Sequence, residues 1–110
     1  MNNELTKDAD RLLCLLYKQY LEKHKAGIPK VEAKLMGGSD DVQRDLLPKV
    51  SVEDVDETFR ELDRAGFLSV NYYDDLAYSS QLTDLSIVVM ENRFKDGLKG
   101  VLEFLAHFIP

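Results

Sequence analysis

The stretch from Ser51 to Val70, SVEDVDETFRELDRAGFLSV, leaves a chain of this kind few ways to fold. Val52, Val55, Phe59 and Leu62 recur at intervals of three and four, which lays them on one face of a helix. Glu53, Asp56, Glu57, Arg60, Glu61 and Arg64 are left for the solvent side. Ser51 stands where an N-cap belongs, and Asp54 takes the place of the glutamate in a capping box. Gly66 can adopt the left-handed conformation that ends a helix, after which Phe67 and Leu68 carry the chain back to the core. A helix with both ends marked, running directly into an apolar strand, fixes the register of its neighbours.

The chain has 110 residues, enough for one domain with a real core, and its 45% hydrophobic and 31% charged content is that of a folded, soluble protein. The net charge of -6 opposes non-specific attraction to nucleic acid or anionic membranes. Cys14, the single cysteine, lies in an apolar helix and has no partner for an internal disulfide. The first residues, MNNELTKDAD, carry neither the basic region nor the apolar region of a signal peptide. The longest aliphatic run, Ile87 to Met90, is too short to span a bilayer. These features make the cytoplasm the expected location and a membrane partner unexpected.

The periodicities predict helices over about 6–25, 29–36, 40–47 and 51–65, a hairpin over about 67–82, and a C-terminal helix over about 84–108. Thr6 is the N-cap of the first helix, whose stripe is Ala9, Leu12, Leu13, Leu16 and Tyr20. Lys23, His24 and Lys25 crowd its last turn, where the helix dipole favours cations. Pro29 opens the second helix and Gly37-Gly38-Ser39 breaks it. In the hairpin, Leu68, Val70 and Tyr72 alternate with polar neighbours, as do Tyr78, Ser80 and Leu82. Asp74-Asp75 lacks the glycine of a tight two-residue turn, so a longer loop is expected. Thr83 caps the last helix, with a bend at Asp96-Gly97. The fold class is α+β, mostly α.

Two motifs carry a family likeness. Leu62-Asp63-Arg64-Ala65-Gly66-Phe67-Leu68 resembles the junction between recognition helix and wing in winged helix-turn-helix domains. Leu82-Thr83-Asp84-Leu85-Ser86-Ile87 is similar to the segment that ends the wing and begins the next helix, with Ser86 where the family usually has glycine. More narrowly, RELDRAGFL with LTDLSIVVMENRFKDGLK resembles the YjcQ group of small bacterial and prophage proteins, over about the last 60 residues. The resemblance implies a single winged-helix domain with a two-stranded wing and a C-terminal helix, in a bacterial or phage setting. It also implies that the helix over about 51–65 is the one such domains commonly place in a DNA groove.

Charge argues against that use. Residues 39–75 hold 11 acidic side chains against 4 basic ones, a balance of -7, and the rest of the chain carries +1. DNA affinity comes largely from cations that neutralise phosphates. On the helix, Asp56 and Glu57 lie within reach of Arg60, and Glu61 of Arg64, at spacings that form ion pairs. The candidate nucleic-acid contacts are Lys30, Lys34, Arg44, Lys49, Arg60 and Arg64. Between Asn71 and Ser80 the wing offers tyrosines and aspartates but no cation. The leading expectation is a non-enzymatic regulator working through protein contacts, with DNA binding as the alternative.

Leu98, Val101, Leu102, Leu105 and Phe108, with Phe104 and Ile109, form an apolar surface broader than one stripe. They either pack on the first helix or pair with a second copy in a homodimer. No catalytic, metal or cofactor constellation is expected. His24, His107 and Cys14 are too scattered for a zinc site or a Cys-His nucleophile, and the glycine pairs lack the residues of a phosphate loop.

Overall fold

The computed structural model describes residues 4–108. The Thr6 hydroxyl accepts from the Ala9 amide at 3.2 Å and opens α1 (Lys7–Lys25). The expected stripe is buried, and so are Cys14 and Tyr17, because α2, α4, α5 and α6 all pack on this helix. It is the central post of the molecule.

Pro29 precedes a single turn, α2 (Lys30–Ala33), shorter than the 29–36 expected from periodicity. Residues 34–36 instead run beside the hairpin. The Met36 amide donates to the Ser80 carbonyl and the Leu82 amide to the Lys34 carbonyl, both at 2.9 Å. Continuing the helix would leave the outer edge of the hairpin strand unpaired, and leaving it after Lys34 satisfies both backbones. Gly37, at φ 87°, then turns the chain into α3 (Ser39–Leu46).

Ser51 caps α4 (Val52–Arg64) by accepting from the Asp54 amide at 3.1 Å. Val55, Phe59 and Leu62 are buried. At its end the Phe67 amide donates to the Leu62 carbonyl and the Gly66 amide to that of Asp63, with Gly66 at φ 86°. This is the glycine-terminated helix end expected from the sequence.

Strands β1 (Leu68–Tyr73) and β2 (Leu76–Leu82) form a two-stranded antiparallel sheet. The expected longer loop is not formed. Tyr73 pairs with Leu76 across a two-residue turn in which Asp74 and Asp75 both have positive φ, 52° and 64°. Aspartate tolerates that region better than most residues, so the tight turn closes without glycine.

Thr83 begins α5 (Asp84–Arg93) by accepting from the Ser86 amide at 3.2 Å. The single helix expected over 84–108 is divided into α5, α6 (Leu98–Leu105) and a 3-10 turn, Ala106–Phe108. The break at Phe94 to Gly97, with Gly97 at φ 64°, reverses the chain so that α6 lies against α1. Phe104 then meets Phe94 edge-on, their centroids 5.8 Å apart. The protein is thus α+β and mostly helical, and its Cα radius of gyration, 13.1 Å, is that of one packed unit.

Candidate interaction face

The outward side of α4 and the hairpin is organised by a buried carboxylate. Asp56, expected on the solvent side, is only 8% exposed. Its Oδ1 accepts from the Ser39 hydroxyl and from the Ala77 amide, both at 2.8 Å, and its Oδ2 accepts from Arg60 Nε at 2.8 Å. One side chain therefore joins the start of α3, the middle of α4 and strand β2. Gly38 makes the junction possible, since a Cβ there would stand 2.5 Å from the Tyr78 carbonyl oxygen and 2.9 Å from that of Ala77. Burial acts to raise the pKa of Asp56, but the Ala77 amide, Arg60 and the Ser39 hydroxyl together outweigh it and hold the carboxyl below its ordinary range.

Arg60 is held on three sides. Besides Asp56, its Nη2 donates to the Asp75 carbonyl at 2.7 Å, and its guanidinium carbon lies 4.7 Å from the centroid of the Tyr72 ring. The Tyr72 hydroxyl donates to Asp63 at 2.7 Å, and burial followed by that bond pushes its pKa up to about 12. The arginine that sequence placed at the front of a recognition helix is thus tied to the hairpin turn and its neighbours.

Two pairings on α4 differ from the spacing rule. Glu61 does not bind Arg64; its two carboxylate oxygens take the Thr6 amide at 2.9 Å and the Thr6 hydroxyl at 2.7 Å, fastening α1 to α4. Arg64 lies instead 3.8 Å from Glu57. Capping the open end of α1 satisfies two donors at once, which outweighs an exposed helical ion pair.

Of the remaining candidate cations, Lys34 reaches Asp84 at 2.9 Å, and Arg44 bonds Asp45 and Asp41 at 3.1 and 3.2 Å. Lys30 and Lys49 are exposed and form no ion pair among the described residues. What the face presents outward is Glu53 and Glu57 on α4, then Asp74 and Asp75 at the turn.

The hairpin tip adds aromatic surface. The register slips between Asn71 and Tyr72, leaving Tyr78 as an extra residue opposite β1. A bulge re-aims the side chains beyond it. Ala77 consequently turns inward, while Tyr78, 66% exposed, meets Tyr73, 68% exposed, with ring centroids 5.9 Å apart. Simple alternation missed this pair, because a period of two cannot register an inserted residue.

The C-terminal apolar residues are distributed differently from a free surface. Val101 is buried, Phe104 and Leu105 pack against the core, and Leu98 and Phe108 are half-buried. Leu102 remains 45% exposed. Ile109 lies outside the described residues. Arg93 fastens this end by donating to both oxygens of Asp10, at 2.6 and 3.0 Å, while stacking over Phe94 and Phe104.

The described residues contain no His, Cys, Asp and Glu group arranged to hold a metal ion, and no helix long and apolar enough to cross a membrane. Burial pushes the Cys14 thiol up to about 12. The two motifs that resemble the winged-helix junctions are bonded to one another, the Thr83 hydroxyl donating to the Gly66 carbonyl at 2.6 Å. Compared with protein-family models, curated proteins and solved structures, the chain matches none.

Proposed function

We propose that this chain is a winged-helix domain of regulatory type, non-enzymatic, which acts through protein contacts and offers α4 and the hairpin to a basic protein surface. The reading draws on the order of elements: a long first helix, the pair α3 and α4, the hairpin and the closing helices. Leu35 adds a single antiparallel bridge to Gln81 of β2, flanked by the Met36–Ser80 and Leu82–Lys34 backbone bonds. The bacterial or prophage setting rests on the sequence resemblance.

One observation carries the choice of partner: Arg60 is consumed by Asp56, the Asp75 carbonyl and the Tyr72 ring. With that cation neutralised, the exposed groups are carboxylates and the Tyr73–Tyr78 pair. Carboxylates beside aromatic faces suit lysine and arginine side chains and repel phosphates. Self-association through α6 has Leu102 as its most exposed apolar contact, Val101 being unreachable in the folded chain.

DNA binding through Lys30, Lys34, Arg44, Lys49, Arg60 and Arg64 is the competing reading. Duplex affinity measured across salt concentrations separates the two. The proposal expects weak binding that is indifferent to Arg60→Ala and Arg64→Ala. Tight binding that falls steeply with salt, and whose slope those substitutions flatten, would overturn it.

A further inference from the structure

We infer that a trough centred on Arg11 binds a small amphipathic anion, a monocarboxylate carrying an apolar chain. Two adjoining cavities of about 320 and about 370 Å³ share Arg11 and Phe108. The first lies between Leu15 of α1 and Leu102 and Leu105 of α6; the second opens toward Leu47 and Val50 at the turn between α3 and α4. Each has the size of a small-ligand site, roughly 300 Å³ or more, with mostly apolar walls.

The charge of the trough is opposite to that of the molecule. In a chain of net charge -6, the only charged side chains among the described residues lining these two cavities are Arg11, Lys18 and Lys49. Lys18 pairs with Glu22 at 3.3 Å. Arg44, Arg60, Arg64 and Arg93 each have a carboxylate partner, whereas Arg11 has none among the described residues. Its guanidinium stands 5.9 Å from the Phe108 centroid. Asp8 and Asp54 line a smaller cavity of about 80 Å³ that also touches Arg11, but neither comes within ion-pair distance of it.

A guanidinium fork without a carboxylate, at the meeting point of two apolar cavities, fits an anionic head with an apolar tail. The head forms paired, charge-assisted hydrogen bonds with Arg11, and the tail displaces water from the leucine walls. A purely apolar ligand would leave the guanidinium without a partner, and a small polar anion would leave the walls wet.

The full chain is titrated with decanoate below its micelle concentration, following amide shifts by NMR, with acetate and decyltrimethylammonium as controls. Saturable decanoate binding centred on Arg11, Leu102 and Phe108 is expected, with neither control binding there. Arg11→Gln weakens it about tenfold or more, as loss of a charge-assisted pair requires, while Arg64→Gln leaves it unchanged. Leu102→Glu, at an exposed position that should not disturb folding, supplies an internal carboxylate and weakens binding similarly. The inference is overturned if decanoate does not saturate, if decyltrimethylammonium binds equally, or if Arg11→Gln and Leu102→Glu have no effect. It is also overturned if sedimentation shows a dimer that decanoate does not disperse, since a second copy would then occupy the trough.

Discussion

Asp56 shows how much one side chain can decide. Each of its hydrogen bonds goes to a different element, so Asp56→Ala strands the Ala77 amide and the Ser39 hydroxyl and frees Arg60. Denaturant unfolding should register a loss of about 1 to 3 kcal/mol, the usual cost of leaving buried polar groups such as the Ala77 amide and the Ser39 hydroxyl without a partner. The same residue sets an acid dependence. Its carboxyl pKa is lower folded than unfolded, so its stabilisation is complete above the unfolded value of about 3.9 and is lost as pH falls through the folded value. Asp56→Asn should flatten stability against pH in that acid range, a comparison that two denaturation series provide. Gly38 answers to space rather than charge: a Cβ meets two backbone oxygens, so Gly38→Ala must part α3 from β2, costing about 1 to 3 kcal/mol by the same measurement. Cys14, buried with its thiol pushed up to about 12, should resist a thiol reagent in the native protein and react promptly once unfolded.

Among the elements, the hairpin carries the clearest departure from its sequence signal. Asp74 and Asp75 hold a turn whose two positions favour asparagine followed by glycine, and the Asp75 carbonyl is further fixed by Arg60. The double substitution Asp74→Asn/Asp75→Gly should stabilise the protein by about 1 kcal/mol in thermal or denaturant unfolding, because the left-handed conformation then costs less. Helices α1, α3 and α4 were legible because their apolar spacing and caps are local: Thr6 and Ser51 bond amides three residues ahead, and Gly66 ends α4. The departure of residues 35 and 36 from the helix was not legible, since it depends on partners more than 40 residues away on β2. The division of the last helix was signalled only as a bend at Asp96-Gly97. Its full extent follows from Arg93 and Phe104 reaching back to α1 and α5. The interaction face was half legible. Its acidity is compositional, but the burial of Asp56, the capture of Arg60 and the exposure of Tyr78 arise from the packing of α3 on the hairpin and from a bulge.

For the molecule as a whole, charge is distributed by position and not merely in sum. Carboxylates front α4 and the hairpin turn, Arg60 is held inside that face, and Arg11 and Lys49, without a carboxylate partner among the described residues, lie on another part of the surface. Attraction of a basic protein surface to the acidic face should therefore weaken with salt, whereas duplex DNA has no cationic track there to follow. The central claim is that α4 and the hairpin tip form one acidic, aromatic contact surface. Amide shift mapping with an arginine-rich peptide and with duplex DNA, under the same low-salt buffer, tests it most directly. The peptide should shift residues 53–64 and 72–78 together, with the effect reduced in Tyr73→Ala and in Asp74→Asn/Asp75→Asn. Shifts of α4 produced by DNA and absent with the peptide would contradict it.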